Sequence, residues 1–365
     1  MVVKFKCEQA VLAEAFGAAS RAATGRATNP VLSCLRLVLA KNHLRVTGTD
    51  GDLTIESSIQ VADGDDGVVL VPAKLVSEVV RSLSSGAVTF EVEGDKVQIS
   101  AGRVNFAVPV GAEGDFPKWS GSTGGGATIS SSDLSEALKQ VVRAASTDDA
   151  RGVITGVLVT SDSGKLRLVA TDSYRLAIRE LPSAVLPDGA QVIVPARALS
   201  ELLRLLTLGD SVGIEVTDHD ATFHVGNTRL VTRLIQGTYH DYKRLVPPPS
   251  PNSVTINREE ALEAIRRVKL VARDPIGTPL RIRMANEGVT LRIVSQDNGE
   301  AHEQLDCELT GNEIEMSFNN EFLAAGIDAC QTEFVTIQTS DPGKLAVIRP
   351  KDDAAYTYLL MPLRS

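Results

Sequence analysis

Arg45-Val-Thr-Gly-Thr-Asp50 recurs as Arg167-Leu-Val-Ala-Thr-Asp172, 122 residues later, and in degraded form as Arg292-Ile-Val-Ser-Gln-Asp297, 125 residues further on. Val71-Pro72-Ala73, which opens a helical pattern, returns 123 residues later as Val194-Pro195-Ala196, with a fainter copy at Ser317-Phe318-Asn319. Phe116-Pro117-Lys118-Trp119 lines up with Tyr239-His240-Asp241-Tyr242, again 123 residues apart. One period of about a third of the chain fits all three landmarks, so the 365 residues read as three copies of one domain. Each copy is long enough to bury a core of its own. A tripled domain suggests a geometric body before it suggests an enzyme with a single pocket.

The seams fall at Gly121-Ser-Thr-Gly-Gly-Gly-Ala127, flexible by composition, and at Val246-Pro-Pro-Pro-Ser-Pro-Asn252, stiffened by proline. They place the domains at residues 1–121, 127–246 and 253–365. Each copy opens with a strand and an amphipathic helix. The apolar faces are Val11, Leu12, Ala15, Phe16 and Ala19; then Leu134, Ala137, Leu138, Val141, Val142 and Ala145; then Leu262, Ile265 and Val268. Asp133 with Glu136, and Asn257 with Glu260, read as capping boxes. Hairpins follow, at 35–40 with 43–47, 153–160 with 165–170, and 280–285 with 289–294. A second helix comes next, marked by Leu75, Val76, Val79, Val80 and Leu83, by Leu199, Leu202, Leu203 and Leu206, and by Phe322, Leu323 and Ile327. Two helices among roughly eight strands predict an antiparallel α+β domain with both helices on one side.

Reactive chemistry is sparse. The five histidines are scattered without metal-ligand spacing, and Cys7, Cys34, Cys307 and Cys330 form no CxxC pair, so they read as buried free thiols. No phosphate-loop or nucleophile-elbow pattern occurs. Thr49-Asp50 and Thr171-Asp172 read as strand-end turns in which Asp bonds its own backbone, because the motif recurs where a single active site would not. No cofactor is expected. No signal-peptide core opens the sequence and no apolar run reaches the roughly 18–20 residues of a membrane span, which predicts a cytoplasmic protein without a membrane partner. A net charge of −9 argues on its face against nucleic acid.

At these same residues the chain closely resembles one family, the bacterial sliding clamp, the β subunit of DNA polymerase III. The likeness runs through Arg26-Ala-Thr-Asn-Pro30-Val-Leu, Gly48-Thr-Asp50, Val71-Pro-Ala73, Gly114-Asp-Phe-Pro117, Ala170-Thr-Asp172-Ser-Tyr-Arg175-Leu, Val194-Pro-Ala196, His240-Asp-Tyr242 and Met361-Pro362-Leu363-Arg364-Ser365. The resemblance implies three similar clamp-type domains, two helices packed on antiparallel sheets in each, and two chains joined head-to-tail in a homodimeric ring around duplex DNA. Positive charge is then needed only on the inner face, and its distribution matters more than the net value. The resemblance assigns DNA contact to Arg26, Arg81, Lys139, Arg143, Arg151, Arg197, Arg204 and Arg266. Asp148-Asp149 stands where the family often has a Gln shortly before the residue matching Arg151.

The resemblance also implies a groove for a partner peptide carrying Gln and bulky apolar residues. Its residues would be Ile154, Thr171, Tyr174, Arg175, Leu176, His240, Arg244, Leu245, Leu359, Met361, Pro362, Leu363 and Arg364, with Arg175, Arg244 and Arg364 as rim donors. Ser173 and Tyr174 replace the family's common Gly-His, and His240 a common Pro. Phe106, Leu270 and Val271 match ring-closing positions. The implied partners are sequence-independent double-stranded DNA, a second copy of the chain, the replicative polymerase α subunit, the clamp loader, and other polymerases, ligase and mismatch-repair proteins, all at the nucleoid. Two other readings stay open on the residues alone: a monomeric clamp-like scaffold that binds peptides without encircling DNA, and a hydrolase using Thr171-Asp172.

Overall fold

The structure is a computed structural model that describes every residue except 1–2, 26–28, 112–115, 118–125, 184, 273, 275–277 and 364–365. The first repeat runs β1 (Lys4–Glu8), α1 (Gln9–Ser20), β2 (Cys34–Ala40), β3 (His43–Thr49), β4 (Leu53–Gln60), β5 (Ala62–Asp65), β6 (Gly67–Pro72), α2 (Ala73–Ser82), β7 (Ala87–Glu93), β8 (Lys96–Ala101) and β9 (Val104–Pro109). The second runs β10 (Ala127–Ser130), α3 (Ser131–Val141), β11 (Gly156–Asp162), β12 (Lys165–Thr171), β13 (Arg175–Leu181), β14 (Gln191–Pro195), α4 (Ala196–Leu205), β15 (Ser211–Val216), β16 (Asp220–Val225) and β17 (Thr228–Arg233). The third runs β18 (Asn252–Asn257), α5 (Arg258–Val268), β19 (Pro279–Ala285), β20 (Gly288–Ser295), β21 (Gly299–Leu305), β22 (Glu308–Thr310), β23 (Ile314–Asn319), α6 (Asn320–Asp328), β24 (Phe334–Thr339), β25 (Ala346–Pro350) and β26 (Tyr356–Leu360). Apart from β5 and β22, every repeat is a βαβββ unit written twice.

The two halves of a repeat exchange their opening strands. β1 pairs with β7 of the run β7–β9, and β6 pairs with β2 of the run β2–β4; the later repeats do the same. Sheets of successive repeats then fuse. β17 pairs antiparallel with β4, making an eight-stranded sheet, and β26 pairs with β13, making a nine-stranded one. The fusion cuts across the second repeat. One compact unit holds residues 1–135 and 197–234, and the other 136–196 and 235–365. Two sheets stay shorter: five strands ending on β9, and four ending on β21.

The local signals explain themselves. Lys41 and Asn42 both take positive φ in the β2–β3 turn, the type I′ geometry that matches strand twist. Asn257 caps α5 by accepting the Glu260 N–H at 3.2 Å. On α3 the cap falls to Ser130 rather than Asp133, since the Asp133 N–H points to the Ser130 hydroxyl and Asp133 lies in the first turn. In the first unit α1 packs against α2 and lies on β3 and β4; Phe16 meets Phe90 edge-on, and Phe90 stacks on Phe5. Gly48 is required there, because a Cβ would lie 2.0 Å from the Ala19 carbonyl oxygen. Val11 and Leu75, expected on apolar helix faces, are instead 44 % and 45 % exposed. In the second unit α5 packs against α6. No helix among the described residues is long and apolar enough to cross a membrane.

Hairpin turns also correct the alignment of the third copy. The β11–β12 turn closes at Asp162 and Lys165, and the β19–β20 turn at Ala285 and Gly288. Counting from these turns, Thr171 corresponds to Val294, not Gln296. Arg292–Asp297 therefore matches the motif by composition but sits two residues further along its strand.

Candidate functional site

The β12–β13 turn shows what Thr171-Asp172 does. Asp172 Oδ1 accepts the N–H groups of Tyr174 and Arg175 at 2.9 and 3.0 Å. The Thr171 hydroxyl donates to the Arg175 carbonyl at 2.6 Å and accepts the Ser173 N–H. The first copy repeats the pattern. Asp50 Oδ1 accepts the N–H groups of Asp52 and Leu53, and Thr49 bonds the Leu53 carbonyl and the Gly51 N–H. Both pairs are buried turn-formers whose Oδ1 and hydroxyl groups close the turn.

What differs between copies is the guanidinium each carboxylate holds. Asp50 Oδ2 meets Arg197, the second residue of α4, at 2.6 Å. Burial alone would raise the Asp50 carboxyl; the Leu53 and Asp52 N–H groups and the Arg197 charge together hold it below the usual carboxylate range. Asp172 Oδ2 instead meets Arg175 Nε at 3.0 Å. The Arg175 guanidinium also donates to the Arg143 carbonyl and lies 4.2 Å from the Phe322 ring centre. Its side chain is 14 % exposed, and these contacts make Arg175 a brace between β13 and α6.

Around this turn, inside the second unit, lie many of the residues expected at a groove. Ile154, Leu176 and Leu359 are buried and pack with Leu158, Val169, Ile178, Ile193, Tyr239, Tyr242 and Val347. Burial pushes the Tyr239 phenol well above its ordinary value. Above this floor Tyr174 is 60 % exposed, Leu245 and Met361 are each 49 % exposed, and Leu363 is 38 % exposed. The Met361 N–H donates to the Tyr174 carbonyl at 2.9 Å, and the Leu363 N–H to the Ser317 carbonyl at 2.7 Å. His240 is exposed, and Arg244 forms an ion pair with Asp241 at 2.8 Å. Two hollows are cut into the surface here. One of about 630 Å³ is bounded by Met361, Pro362, Leu363, Met316 and Arg281, and one of about 380 Å³ by Tyr239, His240, Tyr242, Leu158 and Arg167. Arg364 lies outside the described residues.

Tyr239 and Val347 escaped the sequence reading. Their signal was position alone: Tyr239 neighbours the His240 motif, and Val347 pairs with Leu359 across the β25–β26 ladder.

The basic residues fall in both units. In the first, Arg81, Arg197 and Arg204 are exposed on helices, and Arg26 lies outside the described residues. In the second, Lys139, Arg143 and Arg266 are exposed and Arg151 is half-buried. Arg143 and Arg258 share Asp328, at 3.1 and 3.2 Å, beside a hollow of about 380 Å³ that Lys139 also lines. Of the interface candidates, Phe106 packs against the first unit's core from β9, while Leu270 is 81 % exposed next to Val271 in a 3-10 turn. No group of three or more metal-ligating side chains occurs among the described residues.

Models of the DNA polymerase III beta subunit match residues 3–120 as its N-terminal domain, 128–241 as its central domain and 243–364 as its C-terminal domain. The chain is 31% identical over 378 residues to the beta sliding clamp of Streptomyces coelicolor, covering 99% of both sequences. It superposes with a TM-score of 0.92 and 28% identity on the crystal structure of the Pseudomonas aeruginosa sliding clamp bound to griselimycin, covering both chains completely. The Bacillus subtilis clamp gives a TM-score of 0.92 at 25% identity, again over both whole chains.

Proposed function

Because the chain belongs to the DNA polymerase III beta subunit family, we propose that two copies close head-to-tail into a ring that slides on duplex DNA and tethers polymerases through the Tyr174–Met361 groove. It is a DNA sliding clamp of three domains, a non-catalytic processivity subunit acting in DNA replication. The observation that carries the ring is a strand-pairing rule obeyed twice and left open once. The fourth main strand of one repeat pairs with the last strand of the next: β4 with β17, and β13 with β26. By the same rule β21 of the third repeat is to pair with β9 of a second copy's first repeat. Both of these strands end their sheets. Unpaired edges invite a partner strand, and two such contacts close a ring without a free edge between copies.

The rule also gives a register. Gly48, Ala170 and Ile293 each stand five residues past the end of their hairpin turn, at His43, Lys165 and Gly288, and lie opposite Ile55, Ala177 and Ala301. Ile55 faces Leu230, and Ala177 faces Tyr358. The β8–β9 turn, like the β16–β17 turn, puts Phe106 in the place of Leu230. Phe106 then faces Ala301 of the second copy, and Asn105 faces His302. The exposed Leu75 on α2 occupies the place of Ala198 on α4, which is buried. In the ring it is to be covered from the side where Leu270 stands exposed.

Arg81, Lys139, Arg143, Arg197, Arg204 and Arg266 then supply the DNA-facing charge despite the net −9. Loose attraction to phosphates suits sliding, since it carries no base readout. The Met- and Leu-rich groove suits several partners, among them the polymerase α subunit, the clamp loader, other polymerases, ligase and mismatch-repair proteins, in the bacterial cytoplasm at the nucleoid. Oxidising an Asn105→Cys/His302→Cys double variant tests the ring: it is expected to give a covalent dimer, whereas Asn105→Cys/Glu303→Cys, with side chains on opposite faces, is expected to stay uncrosslinked. A protein that sediments as one chain at micromolar concentration would instead favour the monomeric scaffold. Deleting residues 361–365 is expected to abolish polymerase stimulation and leave the dimer intact.

A further inference from the structure

We infer that Arg151 is a positioning residue for the peptide groove rather than a DNA phosphate ligand; the inference rests on the groove reading above. Arg151 lies in the 3-10 turn Asp149–Thr155, whose first N–H groups are capped by Asp148. Its guanidinium is spent on the β12–β13 turn. Nη1 donates to the Asp172 carbonyl at 2.6 Å, and Nη2 to the Ser173 hydroxyl at 2.8 Å. A planar fork meeting two acceptors on consecutive residues fixes both position and tilt of the turn. A phosphate that drew the guanidinium away would take both bonds from the turn.

The turn has a reason to need holding. Ser173 sits at φ +75, in the left-handed region that a residue with a Cβ rarely adopts. In the first copy the same position is Gly51, at φ +96, which takes that conformation without strain. There the arginine is Arg197, which meets the Asp50 carboxylate rather than the residue at positive φ. The residue corresponding to Arg151 is Asn29, which caps its own 3-10 turn by accepting the Val31 N–H. The copy that carries Ser173 is the copy that presents Tyr174 to the groove and bonds the Met361 N–H through the Tyr174 carbonyl. Arg151 thus sets the wall against which a partner peptide packs.

The test uses the full-length protein, a fluorescent five-residue peptide beginning with Gln and ending in two bulky apolar residues, and linear duplex DNA over a salt series. Arg151→Ala is expected to weaken peptide binding about tenfold and to leave the slope of DNA affinity against salt unchanged. Arg151→Lys is expected not to restore the peptide, since one ammonium cannot reproduce the two-point fork. Adding Ser173→Gly to Arg151→Ala is expected to recover most of the loss, a rescue that a general packing role would not give. Unchanged peptide affinity with a salt slope smaller by about one would make Arg151 a phosphate contact and overturn the inference. A wild-type protein that binds no peptide would overturn the groove reading and this inference together; a wild-type protein that binds, with Arg151→Ala binding equally well, overturns this inference alone.

Discussion

Replacing Asp172 by Asn separates a structural carboxylate from a catalytic one. The change is isosteric, so it opens no cavity, and Oδ1 can still accept the Tyr174 and Arg175 N–H groups. What is lost is the charge and the Oδ2 acceptor that meets Arg175 Nε at 3.0 Å. The two side chains are 13 % and 14 % exposed, so Arg175 is left with a nearly buried charge and an amide donor facing its own. Breaking one side of such a pair costs about 3–5 kcal/mol when nothing replaces it. The remaining donation to the Arg143 carbonyl and the Phe322 ring soften this, which places the loss at about 3 kcal/mol. For a cooperative unit of this size that corresponds to a fall of about 6–12 °C in midpoint. Scanning calorimetry of the wild type and variant at neutral pH is the assay, with Asp50→Asn as comparison. The Asp50 partner, Arg197, is 53 % exposed and re-solvates easily, so its effect is expected to be about half as large. A shift below about 2 °C for Asp172→Asn would refute the claim that the Asp172–Arg175 pair stabilises this part of the fold.

Other consequences follow from single contacts. Gly48→Ala forces a Cβ to 2.0 Å from the Ala19 carbonyl oxygen, so α1 must lift from β3; a loss of about 3 kcal/mol in urea unfolding is expected, and a neutral result would contradict the packing. The Asp50 carboxyl is held below its unfolded value, so its contribution is full above about pH 4 and is lost as pH falls through the folded value; the wild type is expected to lose stability more steeply than Asp50→Asn in that acid range. Burial pushes the Cys330 thiol up to about 12, so a disulfide reagent at pH 8 is expected to label half-buried Cys34 and Cys307 in the native protein and Cys330 only after unfolding. Leu75→Glu or Leu270→Glu is expected to raise the dimer dissociation constant at least tenfold by sedimentation while leaving the far-ultraviolet spectrum unchanged.

The tripled pattern was legible because each repeat must bury a helix on the same strands, so the same residue types return at the same spacing. Local signals such as the Lys41-Asn42 turn and the Asn257 cap could be read because their physics lies within four residues. Features set by distant contacts could not. The third copy of the motif slipped by two residues because Arg292 and Asp297 imitate its composition, while true register is set by the Ala285–Gly288 turn and the strands across it. Leu75 looked like core because helical periodicity cannot distinguish a face buried in its own domain from one left exposed. Arg175 read as a rim donor, and nothing in sequence announces that Phe322, 147 residues away, lies against its guanidinium. The fused sheets belong to the same class: β4 with β17 and β13 with β26 are pairings between repeats, invisible to any local pattern.

A closed ring holds DNA by topology. This is tested most directly by loading the Asn105→Cys/His302→Cys dimer onto a nicked circular duplex, oxidising it closed, and measuring retention by gel filtration at high salt before and after linearising the DNA. Encirclement predicts that the covalent ring stays with the circle at salt concentrations that abolish phosphate attraction, and that it is lost once the DNA has ends. Equal retention on circular and linear DNA, or release from the intact circle at high salt, would show binding by affinity alone and contradict the account.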